Sequence, residues 1–326
     1  DTILTNVGQI SGATTASISI SNAQSANEGM YYCIVNNTSG VPATSSQAPL
    51  AIRRKMAAWG FEGGSTASTV VGSPASIVVG APTPITSGGV VGDAMAFDDS
   101  TGAEDLIYTD PCSVSYFDIT RYSMTAACWV KMSASAAASW EPFVARNGED
   151  GQGWQLRQSG TAGRPCFTTR GTGNDDGAAA NRTIADSNWH YVVGTYDGTV
   201  KKVYIDGIVS RVYSVDDGSL VSEGQAASGL ISATASPVGI AGRVKYDEVI
   251  GLTIEVSTVA AGTYDEVEIY NYALDSATIA QKYATVTGKA VCPGPQASDL
   301  NGDCIVNLFD FDKCADEGLV NTSVKP

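Results

Sequence analysis

Residues 189–207 read Trp-His-Tyr-Val-Val-Gly-Thr-Tyr-Asp-Gly-Thr-Val-Lys-Lys-Val-Tyr-Ile-Asp-Gly. Two runs of β-branched and aromatic residues are broken by Asp197-Gly198 and closed by Asp206-Gly207. Such residues suit a pleated, half-buried surface, and an Asp-Gly pair supplies the positive φ of a tight hairpin turn. The pattern recurs. Strand-like runs cover 124–132, 154–157, 166–169, 190–196, 202–205 and 264–269, with further turn signals at Asn147-Gly148 and Asp217-Gly218. One helix is expected, over 275–283, capped by Asp275 or Ser276. Many short strands and a single helix predict an all-β, antiparallel sandwich rather than alternating βαβ units.

Composition narrows function. The formal charge is −15, from 34 acidic against 19 basic residues. A chain this acidic does not seek nucleic acid or anionic lipid. No apolar run approaches the roughly 18–20 residues of a membrane span, so no membrane insertion is expected. The one histidine, His190, excludes multi-histidine metal sites and haem attachment through Cys-x-x-Cys-His. Phosphate-binding Gly-rich loops ending in Gly-Lys-Ser/Thr are absent from the sequence. Seven cysteines, none in a Cys-x-x-Cys pair, point to an oxidising compartment rather than zinc. The chain opens at Asp1 without an initiator Met or signal peptide, so it is expected to be a processed or partial piece of something longer.

The pattern changes along the chain and predicts three domains, 1–54, 57–288 and 289–326. In the first, Ile18, Ile20, Tyr31, Cys33 and Val35 alternate with polar residues, as in half-buried strands. Asn27-Glu28-Gly29-Met30-Tyr31-Tyr32-Cys33 resembles the Asp-x-Gly-x-Tyr-x-Cys stretch of immunoglobulin-like domains, with Asn27 in place of Asp. The resemblance implies a tyrosine corner at Tyr31 and a partial domain, since a whole one needs about 100 residues. Cys33 then has its partner upstream in the same precursor or in another chain; the alternative is a buried free thiol. Late strands alone leave the inward row and a sheet edge uncovered. Self-association through residues 1–54, or an upstream part of the same precursor, is therefore expected. A head-to-tail contact of that kind builds filaments.

The second segment resembles laminin-G-like, or concanavalin-A-like, jelly-roll domains. The resemblance rests on five stretches: Trp59-Gly60-Phe61-Glu62-Gly63; Gly92-Asp93-Ala94-Met95-Ala96-Phe97-Asp98; the Trp189 to Gly198 strand and turn; Val203-Tyr204-Ile205-Asp206-Gly207; and Tyr264-Asp265-Glu266-Val267-Glu268-Ile269-Tyr270 with its trailing helix. It implies a β-sandwich, and a structural calcium tying the first strand to the last through Glu62 and Asp265; alternatively Asp265 caps a turn. It also implies binding of glycans on exposed aromatics, for which Trp140 and Tyr116 are candidates. His190 reads as a strand residue beside a core Trp. Asp265, Glu266 and Glu268 come nearest to a glycosidase carboxylate pair but lack the Glu-x-Asp-x-Glu pattern, so no catalytic residue is expected. Asn174, Asp175 and Asp176 read as a solvated acidic loop.

In the tail, Asp299, Asn301, Asp303, the Ile305 carbonyl and Asp310 occupy positions 1, 3, 5, 7 and 12 of an EF-hand-like calcium loop. It resembles a single dockerin repeat and implies calcium as the cofactor. Cys304 stands where Gly normally takes the left-handed turn, a strain of about 1–2 kcal/mol. Among the cysteines, Cys128 and Cys166 fall on predicted strands and are expected to pair as cross-strand neighbours. Cys292 is expected to pair with Cys304 or Cys314, and Cys112 with the one remaining. The sequence thus predicts a bacterial, extracellular or cell-surface protein that is structural or adhesive, and a filament subunit. The alternative is a carbohydrate-binding accessory module of a polysaccharide-degrading protein, with a glycosidase as a distant third.

Overall fold

In strand Met124–Lys131, Met124, Ala126, Cys128 and Val130 point into one core, while Ala127 and Trp129 point into another. Both faces of this strand are thus covered, which puts it at the centre of a sheet between two layers. The computed structural model describes residues 2–36, 40–98, 104–134, 140–160, 163–210, 212–215, 218–221, 223–247, 251–253 and 259–291. The chain divides into two units, Asp1–Arg54 and Lys55 onward.

The first unit is built from short antiparallel pairs: Ile10–Ser11 with Ser19–Ile20, Gly29–Tyr31 with Ala48–Leu50, and Ile34–Val35 with Ala43–Thr44. The Tyr31 hydroxyl donates to the Asn27 carbonyl at 2.6 Å, bracing the turn before its strand. Glu28 accepts from the Ile52 amide and from Arg54. None of its described residues is buried. Ile18, Ile34 and Val35 are 45, 53 and 58% exposed, and Cys33 is exposed as well.

The second unit is a sandwich of two nine-stranded antiparallel sheets. The first sheet runs Ile208–Val209, Val200–Ile205, Trp189–Tyr196, Met124–Lys131, Gly262–Tyr270, Ala94–Phe97, Thr83–Ile85. Lys55–Trp59 also pairs with Gly262–Tyr270, and Gln225–Ala226 with Val200–Ile205. The second runs Leu220–Val221, Val212–Ser214, Ala178–Ala180, Arg164–Thr169, Gly153–Ser159, Pro142–Asn147, Gly239–Ile240, Leu106–Thr109, Ser76–Val79. The strands expected from sequence are all present, and Trp189–Tyr196 pairs with Val200–Ile205 as the hairpin pattern predicts.

Between the sheets lie Trp59, Phe97, Val192, Tyr196 and Tyr264 from the first and Phe143, Trp154, Leu156, Phe167 and Ile240 from the second. At Gly194 the layers touch: a Cβ there would stand 2.3 Å from the Phe167 ring, so only glycine fits. The outer face of the first sheet is covered by helix α1, Ser276–Thr287. Ile279, Tyr283 and Val286 pack on Trp129, Tyr191 and Tyr204. Asp275 caps α1 by accepting from the Thr278 amide at 2.7 Å, and Gly288, at φ 71°, ends it. The helix runs four residues past the expected end because Val286 still meets this outer core.

Candidate functional site

The outer face of the second sheet carries a different chemistry. Leu156 and Phe167 point into the core, so their neighbours Gln155, Arg157, Cys166 and Thr168 point outward. Register aligns Arg157, Cys166, Ala179 and Tyr213 in one row across four strands. The two small side chains in the middle make a low floor between taller ends.

Residues 169–177 fold over part of this face and are held by buried cations. Lys201, fully buried, donates through Nζ to the carbonyls of Thr169 (3.3 Å), Gly173 (3.0 Å) and Asn174 (2.6 Å). The Asp176 carbonyl accepts from Arg157 Nη2 (3.1 Å), Thr168 Oγ1 (3.2 Å) and Cys166 Sγ (3.5 Å). Its carboxylate pairs with Arg170 at 2.6 Å. The expectation of a merely solvated loop is therefore corrected: Asn174 and Asp176 are structural anchors, because two sheet cations reach them.

At the tall ends of the row stand two aromatics. Trp140 is 37% exposed and lies with its ring 4.6 Å from the Arg157 guanidinium. A cation over a ring face at this range is attracted by the ring quadrupole. Trp140 adopts φ 68°, the left-handed region that costs a bulky residue about 1–2 kcal/mol. Strain of this kind persists where surrounding structure over-determines it and clusters at functional sites. Tyr213 is 36% exposed at the other end. Together with Ser159, Gly160, Arg164 and Ala179 they line a groove of about 390 Å³. Aromatic faces, hydroxyls and a guanidinium give it stacking surfaces with donors beside them. Trp140 was legible in the sequence; Tyr213 and Arg157 were not, since only the four-strand register brings them to it. The other aromatic candidate, Tyr116, is structural: its hydroxyl donates to the Met56 carbonyl at 2.9 Å, and it packs against the core.

Glu62 and Asp265 do come to one segment, 87–93. Asp265 Oδ2 accepts from the Val90 and Val91 amides at 2.8 and 3.0 Å, and Oδ1 from the Glu266 amide at 2.7 Å. Burial pushes its carboxyl up to about 6. Glu62 reaches the Asp93 amide at 3.3 Å, over Gly92, where a Cβ would meet its carboxylate at 2.4 Å. Among the described residues, no group of three or more His, Cys, Asp or Glu side chains is arranged to hold a metal ion. Asp265 ties the backbone of the segment to strand Gly262–Tyr270, and Glu62 ties it to the turn Glu62–Gly64 that follows strand Lys55–Trp59.

Glu268 is saturated by Lys55 at 2.5 Å, Lys282 at 2.8 Å and the Tyr270 hydroxyl at 3.1 Å. His190 lies between Asp206, 2.9 Å from Nδ1, and Asp186, 3.1 Å from Nε2. Burial alone would lower the imidazole's pKa, but the two carboxylates raise it above its ordinary value. The same Asp206 accepts from the Tyr191 amide and from Arg182, so His190 belongs to a hairpin brace.

The cysteine pairing is also corrected. Cys128 is on the first sheet with its side chain in the core; Cys166 is on the second, on the outward side of its strand. Both are buried free thiols rather than cross-strand neighbours. Cys112 and Cys33 are exposed free thiols among the described residues. Cys292, Cys304 and Cys314 and the calcium loop residues Asp299, Asn301, Asp303, Ile305 and Asp310 lie outside the described residues.

Comparison with known proteins agrees with the sandwich. The sequence model of the concanavalin A-like lectin/glucanases superfamily matches residues 107–280, just over half of the chain. No curated protein matches. Among solved structures, domain 4 of AbnA, a GH43 extracellular arabinanase from Geobacillus stearothermophilus, in complex with arabinotriose, is 14% identical. It covers 70% of this chain and 97% of its own, at a TM-score of 0.49. The binding domain of Paraclostridial Mosquitocidal Protein 1 is 12% identical over 73% of this chain, at a TM-score of 0.49. That of botulinum neurotoxin serotype G is 12% identical over 71%, at 0.45. The chain spans about half the length of these two toxin binding domains. No helix among the described residues is long and apolar enough to cross a membrane. Two stacked antiparallel sheets with this sequence match place the chain in the concanavalin A-like lectin/glucanases superfamily.

Proposed function

We propose that the second unit is a non-catalytic, extracellular glycan-binding module. The observation that carries this reading is the groove between Trp140 and Tyr213. The outer face of the first sheet is occupied by α1, whereas this face presents two partly exposed aromatics at its ends. Sugar rings stack on flat apolar surfaces, and the neighbouring Ser159 and Arg164 supply hydrogen-bond donors for hydroxyls. The groove lies at the small end of ligand pockets, about 300–1,000 Å³, which suits one or two sugar units rather than a long chain. The test is a panel of soluble polysaccharides in affinity electrophoresis of the full chain. Retardation by at least one, abolished by Trp140→Ala, supports the reading; no retardation by any removes it.

A second reading favours the first unit. Its described residues bury nothing, and Ile3, Val7 and Val41 are 90, 71 and 71% exposed. This supports a structural or adhesive role in which residues 1–54 associate with another copy or with further chain of the same precursor. We also propose that the tail loop binds calcium through Asp299, Asn301, Asp303, Ile305 and Asp310, whose clustered carboxylates repel one another unless a cation neutralises them.

A further inference from the structure

A second groove, of about 650 Å³, runs between α1 and the outer face of the first sheet. Its floor is a row across three strands. Trp129 stands opposite Tyr191 on one side and Asp265 on the other, with a register shift between Ala127 and Trp129. The shift is a bulge, and Glu266 takes φ 47° there. Bulges of this kind re-aim a side chain and recur beside binding sites. Glu266 is thereby turned into the groove next to Trp129.

Three observations mark the groove as a site. The first is the Glu266 carboxylate, which receives no hydrogen bond or ion pair among the described residues. Its neighbour Glu268 forms the direct ion pairs with both nearby cations, Lys55 and Lys282, which act on Glu266 only through space. The second is the Tyr191 hydroxyl, buried and lacking any hydrogen-bond partner. An orphaned buried polar atom is rare in native folds and calls for an explanation. The third is the wall: Val91, Ala277 and Val286 give it an apolar strip, beside Thr278, Gln281 and a Lys282 already paired with Glu268. Both faces of Trp129 are already covered, by Tyr191 at 5.2 Å and Tyr283 at 5.6 Å, so no sugar ring can stack on it. One free carboxylate is also too few for a divalent cation, which takes six or more oxygens.

We propose that this groove binds a primary ammonium group on an apolar stem, with the N–H donors going to the Glu266 carboxylate and the Tyr191 hydroxyl. The ammonium supplies Glu266 with a direct ion-pair partner and Tyr191 with a donor together, and the stem lies along Val91, Ala277 and Val286. A free alkylamine and the lysine side chain of a partner protein share this chemistry.

The test is titration of the full chain with n-pentylammonium, Nα-acetyl-lysine amide and 1-pentanol, followed by calorimetry and Trp fluorescence. A cation is expected to bind, and the alcohol about tenfold more weakly or worse, since a hydrogen bond to a charged group is lost. Glu266→Gln is expected to weaken cation binding by about tenfold without altering that of 1-pentanol. Tyr191→Phe keeps the ring stack and is expected to weaken the cation severalfold. Tighter binding of the lysine derivative assigns the site to a protein lysine, and tighter binding of pentylammonium to a free amine; both support the proposal. Equal affinity for alcohol and amine, or unchanged cation binding in both variants, overturns it, as does a Trp signal moved by monosaccharides and not by amines.

Discussion

Replacing Lys201 by Met tests how the outer face of the second sheet is built. The stem is kept and the ammonium removed, so the Gly173 carbonyl loses its donor, while the Thr169 and Asn174 carbonyls lose one donor each and keep the Thr172 hydroxyl and the Gly177 amide. A buried acceptor left unpaired costs about 1–3 kcal/mol. The bond to Thr169 is fully buried and that to Gly173 partly so, which lets the Gly173 carbonyl turn toward water. Against the loss stands the desolvation of the ammonium, several kcal/mol, which the variant no longer bears. The balance is a net loss of about 1–2 kcal/mol. For a domain of this size that lowers Tm by about 2–8 °C. Urea denaturation followed by Trp fluorescence gives the first number and calorimetry the second. Release of residues 169–177 also exposes Arg170, so trypsin is expected to cut there in the variant and not in the parent. A stability change below about 0.5 kcal/mol, with no new cleavage, would refute the claim that a buried cation pins this segment.

Three further outcomes are expected. His190 has its pKa raised in the fold, so its contribution to stability is full below the ordinary value of 6.5 and is lost as pH rises through the raised value. Asp206, held low mainly against its own burial by His190, contributes above 3.8 and loses that as pH falls through its lowered value. Denaturation midpoints measured from pH 5 to 9 should therefore decline at the alkaline end, and His190→Gln should flatten that decline. Burial raises the Cys128 and Cys166 thiols, so alkylation mapped by mass spectrometry should label Cys33 and Cys112 within minutes and those two only in denaturant. Chelation of calcium should alter protease sensitivity within residues 292–320 and leave the sandwich transition in place; Asp303→Ala should mimic chelation, and a chain indifferent to both has no tail site.

The sandwich was readable where one face of a strand differs from the other or a turn is explicit, as at Asp197-Gly198 and Asp206-Gly207. It was less readable at Leu106–Thr109 and Pro142–Asn147, which are buried on both faces and lose the two-residue period. Arg146 even sits buried in the second of these, donating to the carbonyls of Val114, Thr234 and Ser236. The Cys128–Cys166 pairing failed for a related reason. Assigning both to strands does not say to which sheet each strand belongs, and these two belong to opposite ones. Of the candidate site, Trp140 stood out as an aromatic in an Ala/Ser-rich stretch. Arg157, Cys166, Ala179 and Tyr213 are spread over 57 positions of sequence and meet only through antiparallel register. The Glu266 bulge was equally hidden, because a period-two reading places Glu266 and Glu268 on one face without revealing that Lys55 and Lys282 form ion pairs with just one of them.

The most direct test of the glycan-binding face is a titration of 15N-labelled full chain with the best oligosaccharide from the polysaccharide panel. The indole N–H of Trp140 and the amides of Ser159, Gly160, Arg164 and Tyr213 should shift together, with those around α1 unmoved. Trp140→Ala and Tyr213→Ala should each weaken binding about tenfold or more, as expected for loss of a stacking ring at about 1–3 kcal/mol. Shifts confined to another surface, or undiminished affinity in both variants, would contradict the assignment of this face.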